Sequence, residues 1–201
     1  MSDTFFMVFG IIGFCAMIAA IIFIGRVVAG VIDRHMARAM APLAQTIGGA
    51  VDPRGPAIRA NYEGRTLRAF NDASANVGSG ESASTMNAFY VEVSDLPGVR
   101  NWSIKFYVTG LLGQGPKKLY IETIDEAFGE RLLRSGIIDE VAAFCTPTTD
   151  YVAVAYDMRR KTVTLTTDIL REKLPSPKNF VRQAALAVRL AQVNEHANVQ
   201  T

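Results

Sequence analysis

Histidine dominates acid–base and metal chemistry near neutral pH, and the chain has two, His35 and His196. Neither has a second His, Cys or carboxylate at ligand spacing within a motif, so neither a zinc site nor a Ser-His-Asp triad is expected. The two cysteines fall in unlike surroundings, Cys15 in an apolar run and Cys145 in the mixed C-terminal part. They make no disulfide framework and read as small buried apolar residues. Gly110-Leu-Leu-Gly113-Gln-Gly115-Pro116 departs from G-x-G-x-x-G and lacks the Lys-Ser/Thr end of a Walker loop, so it reads as a turn between strands. Glu122, Asp125, Glu126 and Glu130 form an acidic group, and carboxylates at a helix start suit the macrodipole on a solvated surface. No positioned acid, base or nucleophile set emerges. The chain is therefore expected to be no enzyme and to carry no cofactor and no metal. Arg159-Arg160-Lys161 is the most compact basic patch of the C-terminal part, a candidate contact for lipid headgroups or an acidic protein surface.

The elements that carry these residues begin with an anchor. Thr4 to Gly25 contains no charge, and roughly 22 helical residues span about 33 Å, enough to cross the hydrocarbon core of a bilayer. A removable signal peptide needs a basic region first and a small-residue cleavage site after, and the only early charge is Asp3. No basic residue precedes the run, whereas Arg26, Arg34 and Arg38 follow it. The positive-inside rule then places the N-terminus outside and the C-terminal domain in the cytoplasm. Val28, Ile32, Met36 and Met40 recur every four residues, an amphipathic continuation that Pro42 and Gly48-Gly49 are expected to end. Ala16 and Ala20, with Gly13 on a nearby face, would let another membrane helix approach closely. Phe9 belongs to a set of phenylalanines able to meet lipid or protein.

Residues 48–56 are rich in Gly and Pro and read as a linker between a membrane and juxtamembrane helix (1–47) and a domain (57–201). Glu63-Gly64 reads as a hairpin turn between Ala57–Tyr62 and Arg65–Phe70. Asn71 to Asn87 is Ser-, Gly-, Ala- and Asn-rich and reads as a surface loop. Phe89–Val93, Trp102–Val108 and Leu119–Thr123 read as strands, with Trp102, Ile104, Phe106 and Val108 on the buried side. Helices are expected near Phe128–Leu133, over Ile137–Cys145 and over Asn179–Glu195. A hairpin joins Tyr151–Tyr156 to Thr162–Thr167. Strands, then helices, then a hairpin and a helix, without regular alternation, argue for an α+β fold: an N-terminal transmembrane helix followed by an antiparallel sheet covered by helices on one face.

Hydrophobic residues make up 49% of the chain, concentrated at its start, and 21 basic against 19 acidic residues leave a formal charge of +2. That near balance, with no binding motif, gives no support to a nucleic-acid partner. The partners expected are the lipid bilayer and integral membrane protein subunits. Tyr62-Glu-Gly64-Arg65, the Trp102 strand, Ile121-Glu-Thr-Ile-Asp125-Glu-Ala-Phe128-Gly-Glu-Arg131-Leu132, the Asp157 hairpin and Pro177 to Phe180 together resemble bacterial membrane-anchored domains of no assigned activity. The architecture is also similar to single-span accessory subunits of photosynthetic reaction-centre and antenna complexes. The resemblance implies an accessory or scaffold subunit of a bacterial inner-membrane complex, photosynthetic or respiratory. The alternative is a tethered small-ligand or headgroup binder using Tyr90, Tyr107 and the Thr162-Thr164-Thr166 row.

Overall fold

The structure is a computed structural model that describes residues 2–52, 55–77, 84–98, 100–108, 117–123, 126–144, 151–168 and 174–199. The apolar start of the chain forms one helix, α1 (Ser2–Thr46), whose 45 residues rise about 67 Å. Pro42 does not end it but lies inside it. Proline removes one backbone donor from the ladder. Burial of Leu43, Ala44 and Ile47 directly after it offsets that loss and carries the helix a further turn. The stop is a Schellman cap: Gly48 N–H donates to Gln45 O at 3.3 Å and Gly49 N–H to Ala44 O at 2.8 Å. Gly48 sits at φ 65, where a side chain would be strained.

Among the described residues eight strands follow, all in one antiparallel sheet. They are β1 (Ala50–Asp52), β2 (Ala57–Tyr62), β3 (Arg65–Val77), β4 (Ser84–Val93), β5 (Trp102–Val108), β6 (Lys117–Thr123), β7 (Tyr151–Asp157) and β8 (Thr162–Asp168). Their spatial order is β1-β2-β3-β4-β8-β7-β5-β6. Two stretches differ from expectation. Part of the Gly- and Pro-rich 48–56 segment is a strand, with Val51 opposite Ile58. The polar stretch 71–87 continues the β3–β4 ladder out to Val77 opposite Ser84, with a register shift between Asp72 and Ala75. Both follow from backbone pairing, which extends an aligned hairpin whatever its side chains.

Side chains alternate across each strand. Ile58, Leu67, Ala69, Val91, Val93, Val163, Leu165, Val154 and Ile104 are all buried and share one core. The helices α2 (Glu126–Arg134), α3 (Ile137–Ala142) and α4 (Pro177–Val199) add Leu132, Ile137, Val141 and Leu190 to it. The expected stripe of α4, Phe180, Ala184, Ala187, Val188 and Ala191, is buried throughout. α1 enters the same core through Met40, Leu43, Ala44 and Ile47.

These contacts give the sheet a direction. Ile32, Asp33 and Met36 of α1 share a groove with Ala57 and Phe70, whereas Gly49 abuts Arg59 and Ala60. β3 therefore runs from the capped end of α1 toward its apolar end. Register carries that level across the sheet from Phe70 through Tyr90, Thr166, Ala153 and Lys105 to Tyr120. The β7–β8 turn lies about six residues, or about 20 Å, away at the other end.

Candidate functional site

Three surfaces hold the residues singled out by sequence. The first is α1. Its most apolar stretch has mean hydropathy 2.1 and none of it is buried. Phe14, Met17, Ile21, Phe23, Val28 and Ile32 are all exposed, as are Ala16, Ala20 and Arg26. Phe9 and Gly13 lie on the same helix, with side chains outside the described residues. The stripe Val28, Ile32, Met36, Met40 passes from exposed to fully buried along its length. Arg34 and Arg38 are exposed, off the packed side, and Arg34 Nε donates to Gly30 O at 2.9 Å. One continuous helix thus begins as an apolar sleeve and ends in the core.

The second surface is the side of the sheet opposite to Leu67 and Val91. Glu92 is 4% exposed and lies between two guanidiniums, Arg68 at 3.2 Å and Arg160 at 3.0 Å. Arg68 also stands over the Phe70 ring at 4.3 Å, and Phe70 stacks on Tyr90 with centroids 5.0 Å apart. Burial, then the negative charges of Asp72 and Glu92, push the Tyr90 phenol above its ordinary value. Burial does the same for Tyr151, beside Tyr90. Both phenols stay protonated at physiological pH, so the aromatic patch is neutral. The expected threonine row is split by burial: Thr162 is buried, and Thr164 and Thr166 are partly exposed. A buried carboxylate that loses its charge leaves two cations without their partner. Both arginines reach solvent and can rehydrate. Glu92→Gln is therefore expected to lower unfolding free energy by about 1–2 kcal/mol, read in urea titrations against Arg134→Gln, a change at an exposed pair.

The third surface is the β7–β8 tip. Arg159, Arg160 and Lys161 are exposed there. Asp157 accepts from the N–H of Arg159 at 2.8 Å and of Arg160 at 3.3 Å, and Leu96 N–H donates to Lys161 O at 3.0 Å. Arg160 is drawn back to Glu92, so only Arg159 and Lys161 point their charge outward from a pinned turn. The tip lies at the end of the sheet away from the apolar part of α1.

The remaining chemical candidates scatter. Glu122 pairs with Lys105 at 3.6 Å and Glu130 with Arg134 at 3.0 Å, while Asp125, Cys145 and Gly110–Pro116 lie outside the described residues. His196 Nδ1 lies 2.7 Å from Gln192 O, and His35 sits exposed on α1. Among the described residues no three His, Cys, Asp or Glu side chains gather to hold a metal ion. Sequence reading missed Glu92, Arg68 and Arg59, because their partners lie on other strands and no local pattern marks them. No family model, curated protein or solved structure matches the chain.

Proposed function

We propose that this protein is a non-enzymatic accessory subunit of a larger bacterial inner-membrane complex, photosynthetic or respiratory. In this reading α1 spans the bilayer with the N-terminus outside. The helices cover one side of the sheet in the cytoplasm and leave the other side for partners.

The observation that carries this is the continuity of α1. A tethered enzyme or binder needs only a flexible leash, which leaves its domain free to rotate. Here the exposed apolar sleeve and the core residues Met40, Leu43, Ala44 and Ile47 lie on one uninterrupted helix. Any membrane partner that grips the sleeve fixes the orientation of the whole domain. A brace requires that coupling. The small residues Gly13, Ala16 and Ala20 would seat the neighbouring helix, and Arg26, Arg34 and Arg38 would hold the cytoplasmic headgroups.

The anchor is tested by charge. Phe14→Arg with Ile18→Arg places two guanidiniums near mid-span, a loss of roughly 5–7 kcal/mol in insertion free energy. The double variant is expected to leave the carbonate-washed membrane fraction, while Arg159→Gln stays in it. Retention of the double variant in the membrane would overturn the anchor.

A further inference from the structure

A groove of about 560 Å³ opens where the cap of α1 meets β2, β3 and the end of β4. Its polar lining is Arg59, Asn61, Thr66, Arg68 and Ser94. Arg59 stands directly opposite Arg68, and Asn61 directly opposite Thr66, in successive positions on one side of the β2–β3 ladder. Ser94 is held beside them by its N–H, which donates to Thr66 O at 3.1 Å.

Like charges directly opposite in a ladder are unfavourable by themselves. Among the described residues the acceptors in reach are few. Arg59 meets Asp52 only at 3.6 Å, with its side chain 69% exposed. Arg68 shares the single buried carboxylate of Glu92 with Arg160. Arg68 Nε is buried with no hydrogen-bond partner, a condition that is costly for a charged donor. The groove therefore holds more donors than acceptors, with two forks of guanidinium N–H on one side of the sheet. At the α1 end the Gln45 and Ala44 carbonyls are capped by Gly48 and Gly49, which weakens the negative pole of that helix end.

We propose that this groove binds the oxyanion of a small water-soluble ligand, a phosphate-type or carboxylate group. Arg59, the more exposed guanidinium, engages the anion through paired N–H groups, and Arg68, held by Glu92 and over Phe70, adds a fixed second positive charge. Asn61, Thr66 and Ser94 supply neutral donors. The site goes beyond the assembly role: it would make the subunit responsive to a solute. The rise from Arg26 to the end of α1 is about 30 Å, so headgroups of the anchoring bilayer do not reach it. Failure of the anchor would remove only this last exclusion, not the site.

The test uses the full chain in nanodiscs of zwitterionic lipid, at constant ionic strength. Thermal unfolding is followed against inorganic phosphate and, separately, succinate. A rise in Tm with phosphate that follows ln(1 + [L]/Kd) for one site assigns a phosphate-type ligand, and one with succinate alone assigns a carboxylate. In either case Arg59→Gln, an exposed position that leaves the fold intact, weakens binding about tenfold, and Arg134→Gln leaves it unchanged. No rise in Tm with either anion, or a rise in Arg59→Gln equal to that of the parent, overturns the proposal.

Discussion

Deleting residues 1–49 is expected to unfold the domain, while deleting residues 1–31 leaves it folded. The two cuts differ in the part of α1 that holds Met40, Leu43, Ala44 and Ile47, all buried in the common core. Burial of each large apolar side chain contributes about 1.5–3 kcal/mol. The Met, Leu and Ile alone sum to roughly 5–9 kcal/mol, comparable to the whole net stability of a domain. Removal would also strip cover from Ile58 and its neighbours on β2. Circular dichroism and urea unfolding of the two fragments decide the matter. Equal midpoints would mean that α1 rests on the domain without belonging to it, and the rigid-brace argument would fall with that result.

Asn194→Ala is expected to lower stability by about 3 kcal/mol. Asn194 is fully buried on α4. Its Oδ1 accepts from Trp102 Nε1 at 2.9 Å, and its Nδ2 donates to Pro97 O at 2.8 Å. It thus ties α4 to β5 and to the turn after β4. Alanine leaves the buried Trp102 N–H without its acceptor, at about 1–3 kcal/mol, and removes the part-buried bond to Pro97 O, at about 1 kcal/mol. Neighbouring ties make relaxation difficult. Tyr156 Oη donates toward Leu96 O at 3.3 Å, and Trp102 packs against Phe128 at 5.7 Å. Arg65 and Glu195 close the same corner as a two-bonded pair, and the hydrogen bond to Glu195 raises the Arg65 pKa. Thermal unfolding of Asn194→Ala beside the parent measures the loss. A shift within that of a surface change would show that water replaces both partners.

Local signals read well from the sequence where a single period or turn decides the outcome. Glu63-Gly64 adopts positive φ at both positions, 50 and 77, which suits the twist of a two-residue hairpin. The alternation of Trp102, Ile104 and Phe106 and the stripe of α4 appear as expected, because each reflects one buried side. Features set by distant partners were not legible. Pro42 breaks helices by its local chemistry, but the packing of the residues after it decides otherwise. β1 and the far part of the β3–β4 hairpin carry linker-like and loop-like composition, and only pairing with a neighbour makes them strands. The insertion of β8 and β7 between β4 and β5 is a matter of long-range pairing. So are the Glu92 contacts, whose partners lie 24 and 68 positions away. The apolar sleeve was legible from composition alone, whereas its continuity with the core was not.

The proposed role places this chain in a membrane complex, at a fixed orientation within it. The most direct measurement is purification of the tagged, full-length protein from its own membranes in mild detergent, with mass spectrometry of the eluate and native sizing. The account predicts one large species in which integral membrane subunits accompany the protein at constant stoichiometry. A protein that elutes alone, under conditions in which known membrane complexes stay intact, would contradict it.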